Sequence, residues 1–208
     1  TDMAGKNEIG AKIVLDGEKQ FKTAISDINK SLTMMSSEMK KVDETYKGNA
    51  NSLEALSAKH EVLSKVLEEQ QKKVSATQEA LARSQEEYDK IGESLTDLYV
   101  NFEKATEQLQ ALEQIYGESS EEAAKQREEV EKLQRAIAQG EQSYRRAGNQ
   151  VKDWETKLNQ AQTEVIKTNR AVQENEKYLE EASNSANGCA ESIDEYGKQV
   201  KRSASNIE

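Results

Sequence analysis

Several residue types that most proteins use freely are scarce in this sequence. Proline is absent, cysteine and histidine occur once each, and aromatic residues make up 5% of the chain. A single cysteine excludes an internal disulfide, and one histidine far from that cysteine lacks the ligand spacing of a zinc site. Apolar residues account for 35% of the chain, below the roughly 45–50% of a globular domain. The sequence therefore has too little apolar material for a thick hydrophobic core.

No group of residues has the pattern of a catalytic or cofactor site. His60 falls on an apolar helix position, where a packed histidine is the simpler interpretation than a metal ligand. Cys189 lies among small residues, with no histidine nearby to act as its base. No glycine-rich phosphate loop occurs, and the carboxylates are spread periodically rather than paired. We therefore predict a protein that is not an enzyme and that needs no cofactor and no metal.

The charge of the chain and the distribution of its apolar residues disfavour nucleic acids and membranes as partners. The formal net charge is −10, which disfavours binding to nucleic-acid phosphates, so we expect no specific nucleic-acid binding. No apolar stretch approaches the roughly 18 residues of a membrane helix, so no membrane segment is expected. The N-terminus has no apolar run of a signal peptide. Residues 1–8 are interpreted as a tag remnant and a disordered N-terminus, because Thr1 and Asp2 precede Met3.

Apolar residues recur with a seven-residue repeat along most of the sequence. It runs from Leu53 to Tyr116, stops at residues 117–120, and restarts at Ala123 to continue as far as Ala186. An average spacing of 3.5 residues keeps one seam of a helix facing a partner, as in coiled coils. Two equally long runs around a short break predict an antiparallel coiled-coil hairpin over residues 52–187. Each helix would be about 95 Å long, at about 1.5 Å per residue.

The segments on either side of the predicted hairpin have patterns of their own. Alternating apolar residues at positions 9–15 predict a short β-strand, and an amphipathic helix follows it within residues 9–51. Asparagines and Gly188 near the end of the second run predict a hinge. Residues 188–208 are then predicted to form a separate C-terminal amphipathic helix that leads to the rest of a longer protein. The expected fold class is all-α and elongated, with this one short strand.

The predicted interaction surface is the coiled-coil seam itself. Its candidate residues are Phe21, Ile25, Ile28, Leu32, Met35, Met39, Leu95, Leu98, Phe102, Val151, Trp154 and Leu158. Methionine side chains adapt to different surfaces, so the first helix is a candidate binding face, although ordinary seam filling is the simpler explanation. Interior polar positions leave the number of helices in the assembly open.

The predicted hairpin also has a definite register. Folding the two runs about residues 117–120 places Trp154 opposite Ser84, a large side chain against a small one. It also brings Gly92 beside Gly148, where two glycines would permit a bend halfway along the helices. Size complementarity of this kind fixes the register of an antiparallel seam. At the turn, Ser119 with Glu122 three residues later has the pattern of a helix capping box.

Parts of the sequence resemble a known family. Similarity to the N-terminal region of tail tape measure proteins from phages and prophages of Gram-positive bacteria is found at residues 9–22 (IGAKIVLDGEKQFK), 37–40 (SEMK), 147–155 (AGNQVKDWE), 174–179 (ENEKYL) and 192–197 (SIDEYG). The resemblance covers nearly the whole chain. Family members are much longer, so the resemblance implies that this chain is an N-terminal part.

The resemblance implies a structural role in virion assembly. Tape measure proteins lie extended inside a long phage tail and set tail length through their own length. The implied partners are other tape measure chains, the tail tube and tail chaperones, with a homo-oligomer among the expected states. The implied location is the bacterial cytoplasm during assembly and then the lumen of the virion tail.

Two other interpretations remain open at this point. The chain is alternatively an intracellular coiled-coil scaffold or binding module with no phage role, joining partners through its first and last helices. It is also compatible with a regulatory arm of an enzyme whose catalytic part lies outside this sequence. Phage assembly genes beside the coding sequence would favour the tape measure, and a globular catalytic sequence downstream would favour the regulatory arm.

Overall fold

All regular structure in the described part of the chain is helical. The computed structural model describes residues 18–205 and, among their side chains, those of residues 19–195 and of Lys198. Three helices follow one another: α1 (Glu18–Thr45), α2 (Leu53–Tyr116) and α3 (Glu121–Ser205). The all-α prediction is therefore confirmed. The strand predicted at residues 9–15 lies outside the described residues.

The ends of the long helices are set by local capping residues. The Ser52 hydroxyl accepts a hydrogen bond from the Ala55 amide at 3.2 Å and caps α2. Gly117 has a φ of +87° and ends that helix in the left-handed region, with its amide bonded to the Glu113 carbonyl. At the start of α3, the Ser120 hydroxyl accepts from the Ala123 amide at 3.2 Å. The cap is thus Ser120 rather than the Ser119 that the sequence pattern predicted.

The predicted hinge and separate C-terminal helix are wrong in the described residues. Helix α3 continues through residues 184–188 and ends at Ser205. A glycine in a helix interior costs about 1 kcal/mol relative to alanine, which is too little to end a helix by itself. Gly188, unlike Gly117, does not have a positive φ. Residues 184–195 are all exposed, so none of their side chains is buried against another helix.

The chain divides into two compact units. The first contains the described residues up to Thr23 together with Ala76–Leu158. Inside this unit α2 and α3 are antiparallel, because partners that lie later in α2 meet residues that lie earlier in α3. The hydroxyl of Tyr99 bonds to Glu141, and Gln126 bonds to the Ala105 carbonyl.

The second unit contains Ala24–Ser75 together with α3 from Asn159 onward. Here too α2 and α3 are antiparallel: Lys73 pairs with Glu164 at 3.0 Å, and the Asn175 amide donates to the Leu56 carbonyl at 2.9 Å. Helix α1 folds back on α2, and Asp43 of α1 pairs with Lys59 of α2 at 3.0 Å.

The buried side chains of both units are few and mostly small. The buried apolar residues are Ala55, Leu56, Val62, Ala80, Leu98, Ala105, Ala123, Ile137, Ala147, Val151, Trp154, Ala161 and Val172. Alanine is the commonest of them, and small side chains at the contact allow helix axes to approach closely. The core of each unit is therefore a narrow line of contact between helices, as the low apolar content requires.

Candidate interaction interface between helices α2 and α3

The predicted seam residues lie on the helix faces that meet neighbouring helices. Trp154 is 2% exposed, and Leu98 and Val151 are buried with it. The remaining nine are half-buried: Phe21, Ile25, Ile28, Leu32, Met35, Met39, Leu95, Phe102 and Leu158. Six of these nine are on α1, so the candidate residues of α1 are less buried than Leu98, Val151 and Trp154 of α2 and α3.

Two tyrosines that were not among the predicted seam candidates form the most specific contact of the interface. The rings of Tyr88 and Tyr144 stack with centroids 4.3 Å apart and an angle of 19° between their planes. A Cβ atom added to Gly148 would lie 3.1 Å from Tyr88 Cε2, and one added to Gly92 would lie 3.2 Å from Tyr144 Cε2. Each ring therefore occupies the space that the missing side chain of the opposite helix leaves free.

The glycines thus serve close packing. Both helices are helical without interruption at Gly92 and at Gly148. Gly140, which is buried, has the same relation to α2: a Cβ there would lie 3.0 Å from Leu95 Cδ1 and 3.7 Å from Leu98 Cδ1. Stacked aromatic rings over glycine backbone fix the helices along their length as well as across it, because the rings fit at one height only.

The sequence carries a signal for this contact. Tyr88 precedes Gly92 by four residues, and Tyr144 precedes Gly148 by four residues. The two Tyr-x-x-x-Gly motifs are 56 residues apart, which is eight heptads. Four residues are one helical turn, so each tyrosine and its glycine lie on the same face. Tyr88 and Tyr144 each fall on the apolar seven-residue repeat of their own helix, so both copies of the motif lie beside the seam.

Hydroxyl groups extend the interface beyond its apolar contacts. Interaction with the Tyr144 hydroxyl and, to a lesser extent, burial raise the pKa of Tyr88. The Tyr99 hydroxyl donates to Glu141 Oε1 at 2.5 Å, and this bond raises the pKa of Tyr99. The Tyr99–Glu141 bond joins α2 to α3, and both pKa shifts favour the protonated phenol in the folded chain.

These raised pKa values predict a loss of stability in alkaline solution. An unfolded tyrosine titrates near pH 10. Because the folded pKa values of Tyr88 and Tyr99 are raised, their contribution is fully present below about pH 10 and is lost as the pH rises through the folded values. We expect the free energy of unfolding, measured by urea denaturation from pH 8 upward, to fall less steeply in Tyr99→Phe than in the wild type. The control is Tyr116→Phe, since Tyr116 is 60% exposed. Parallel curves for wild type and Tyr99→Phe would contradict the prediction.

Polar side chains interrupt the apolar seam at intervals. Gln70, Thr77, Ser84 and Asn175 are all buried. Asn175 is satisfied by its bond to the Leu56 carbonyl of α2. Gln70 Oε1 and His60 Nδ1 are buried and have no hydrogen-bond partner among the described residues. Polar seam residues cost stability but disfavour other registers, since each would meet apolar side chains there.

The end of the interface beside the turn is held by a small polar cluster. Arg127 of α3 pairs with Glu113 of α2 at 2.6 Å and also donates to the Glu118 carbonyl of the turn. Gln126, next to Arg127 on α3, donates from its side-chain amide to the Ala105 carbonyl at 2.9 Å. These contacts join residues close in sequence on either side of the turn and hold the two helices together where they leave it.

Within the described residues no three histidine, cysteine, aspartate or glutamate side chains form a group that could hold a metal ion. None of the helices described is long and apolar enough to cross a membrane. No protein-family model matches the chain, and neither a curated protein nor a solved structure does. The interface between the helices is therefore the candidate functional feature of the described residues.

Proposed function

We propose that this chain is a structural segment of a phage tail, of the tape measure type. The observation that carries the proposal is the line of specific contacts joining α2, a helix of 64 residues, to α3, a helix of 85 residues. Long helices with a regular seam convert residue number into length at about 1.5 Å per residue. The stretches at residues 147–155 and 192–197 that resemble tape measure proteins support the same conclusion.

We further propose that α2 and α3 form an antiparallel coiled-coil hairpin. Along α3 the less exposed positions alternate in steps of three and four, the period of a coiled-coil seam. These positions are Ala147, Val151, Trp154, Leu158, Ala161, Val165, Thr168, Val172 and Asn175. The antiparallel contacts inside each of the two units support the same arrangement.

In the proposed role the chain acts through its surface and its length. Its partners are other tape measure chains, the tail tube and tail chaperones, met first in the bacterial cytoplasm and then in the tail lumen. A hairpin contributes only half of its helical length to a ruler. We propose that the hairpin is the form of the free chain, and that the assembled tail holds the same heptads in a parallel arrangement of several chains.

Deletion of whole heptads from the gene, in the phage or prophage that encodes it, tests the proposal. Residues 81–108 and residues 131–158 are removed together, because they face each other across the seam and their loss keeps the register. The tails should shorten by about 84 Å if the chain is extended as one helix, or by about 42 Å if it stays a hairpin. Negative-stain electron microscopy of purified virions measures the tail length.

A matched insertion is the control for this experiment. Duplicating the same two segments should lengthen the tails by the amount that the deletion removes. Tails of unchanged length in both variants, in virions that still assemble, would overturn the tape measure proposal. That outcome would favour the intracellular scaffold, and the exposed stretch at residues 184–195, where Ile193 is 72% exposed, would be its first candidate surface.

A further inference from the structure

The heptad pattern passes through the turn without losing phase. The last seam positions of α2 are Leu112 and Tyr116, and the first of α3 is Ala123, seven residues after Tyr116. Ser119 occupies the seam position that falls between them. A four-residue turn between antiparallel helices does not require the two runs to keep a common phase. If residues 117–120 became helical, the seam would continue from α2 into α3 on one face.

The turn is held by few interactions. Residues 117–119 are exposed, and nothing lies within 4 Å of a Cβ built on Gly117. The bonds that shape the turn are the Gly117 amide to the Glu113 carbonyl, the Ser120 amide to the Gly117 carbonyl, the Ser120 cap, and the Arg127 guanidinium to the Glu118 carbonyl. The pair between Arg127 and Glu113 joins the two helices, so it would survive if α3 came from another chain.

The tyrosine–glycine contacts between α2 and α3 form an equivalent pair. Gly92 faces Tyr144 in the same way that Gly148 faces Tyr88, and the two tyrosines stack on each other. This is the arrangement of a local two-fold axis between the helices. A surface of this kind is self-complementary, as the interface of a symmetric dimer must be.

We propose that a second copy of this chain is a partner, and that the two copies exchange their α3 helices. In the exchanged dimer the turn is helical, α2 and α3 of each copy form one continuous helix, and every α2–α3 contact is remade between the copies. The contacts of both forms are the same, so the turn and the chain concentration decide which form is populated. The inference depends on the turn and the seam, and it stands whether or not the chain belongs to a phage tail.

The double substitution Gly117→Ala with Ser119→Leu tests the exchange. Alanine disfavours the left-handed conformation at residue 117, and leucine fills the missing seam position of the continuous helix. We expect the dimer dissociation constant, measured by light scattering over a concentration series, to fall at least about tenfold relative to the wild type. The control is Gly48→Ala, because Gly48 lies in the other inter-helix turn, with no positive φ and no atom within 4 Å. It should leave the dissociation constant unchanged.

An isotope experiment distinguishes exchange from any other dimer. Labelled (¹⁵N) and unlabelled chains of the double variant are mixed, unfolded, refolded together and treated with a carbodiimide, which joins Lys73 to Glu164 across their 3.0 Å ion pair. In an exchanged dimer about half of the cross-linked peptide pairs contain one labelled and one unlabelled member. Wild-type chains annealed at high concentration provide the second measurement, should the double variant fail to fold. Cross-links confined to peptides of a single isotope, or a monomer at every concentration, would overturn the proposal.

Discussion

Replacing Trp154 with alanine is expected to lower the free energy of unfolding by about 3–5 kcal/mol, the largest effect of any single truncation in this chain. The tryptophan is 2% exposed and is by far the largest buried side chain of the interface. The register predicted from the sequence places Ser84 at the height of Trp154, and Ser84 is itself 3% exposed. A serine side chain is too short to fill the space that the indole ring would leave, so the substitution leaves a cavity.

Urea denaturation followed by circular dichroism at the helix band measures this effect without relying on tryptophan fluorescence. The matched control is Ile166→Ala, because Ile166 lies on the same helix and is 52% exposed. Its effect should stay within about 0.5 kcal/mol, as for surface substitutions in general. A loss of stability below about 1 kcal/mol in Trp154→Ala would show that the interface around it is not packed as described.

Replacing Gly148 with alanine is expected to destabilise the chain by about 1–3 kcal/mol, although alanine is the better helix former. A Cβ at Gly148 would lie 3.1 Å from the Tyr88 ring. That ring cannot move away easily, because it stacks on Tyr144. The clash therefore outweighs the roughly 1 kcal/mol that alanine gains in the same helix.

Gly188→Ala is the matched control for this prediction. Gly188 lies on the same helix, with no atom within 4 Å of a Cβ built on it. Here only helix propensity acts, so we expect an increase in stability of up to about 1 kcal/mol, or none if this end of the helix unfolds separately. The two substitutions should have opposite signs or clearly different sizes in the same urea titration. Equal stabilisation by both would mean that Gly148 does not face a packed ring.

The helical class of this fold followed from the sequence because its apolar residues are few and periodic. With no proline and with apolar positions repeating every 3.5 residues, the region from Leu53 onward had no competing periodicity. Trp154 and Ser84, which the repeat places on the seam, are both buried, whereas the register that pairs them stays a prediction. The seven-residue repeat predicts which face of each helix is covered, because that face depends only on the spacing of apolar residues within the helix.

The parts that the sequence did not predict depend on distances between helices. From the sequence, Gly92 and Gly148 were interpreted as the site of a bend. A glycine inside a helix either weakens the helix or allows a neighbouring helix to approach closely. The Tyr88–Tyr144 stack shows that close approach is the explanation here. The supposed hinge near Gly188 failed for a related reason. Propensity differences of about 1 kcal/mol do not end a helix unless a capping geometry replaces the lost bonds.

The antiparallel pairing of α2 with α3 also has a consequence for the order of folding. Contact partners are close in sequence beside the turn and distant elsewhere: Gln126 and Gln108 are 18 residues apart, Tyr99 and Glu141 are 42 apart, and Asn175 and Leu56 are 119 apart. Closing a short loop loses less chain entropy than closing a long one. We therefore expect the contacts beside residues 117–120 to form first and the contacts farther from the turn to form later. Substitutions near the turn should then slow folding, and those around Asn175 should mainly speed unfolding.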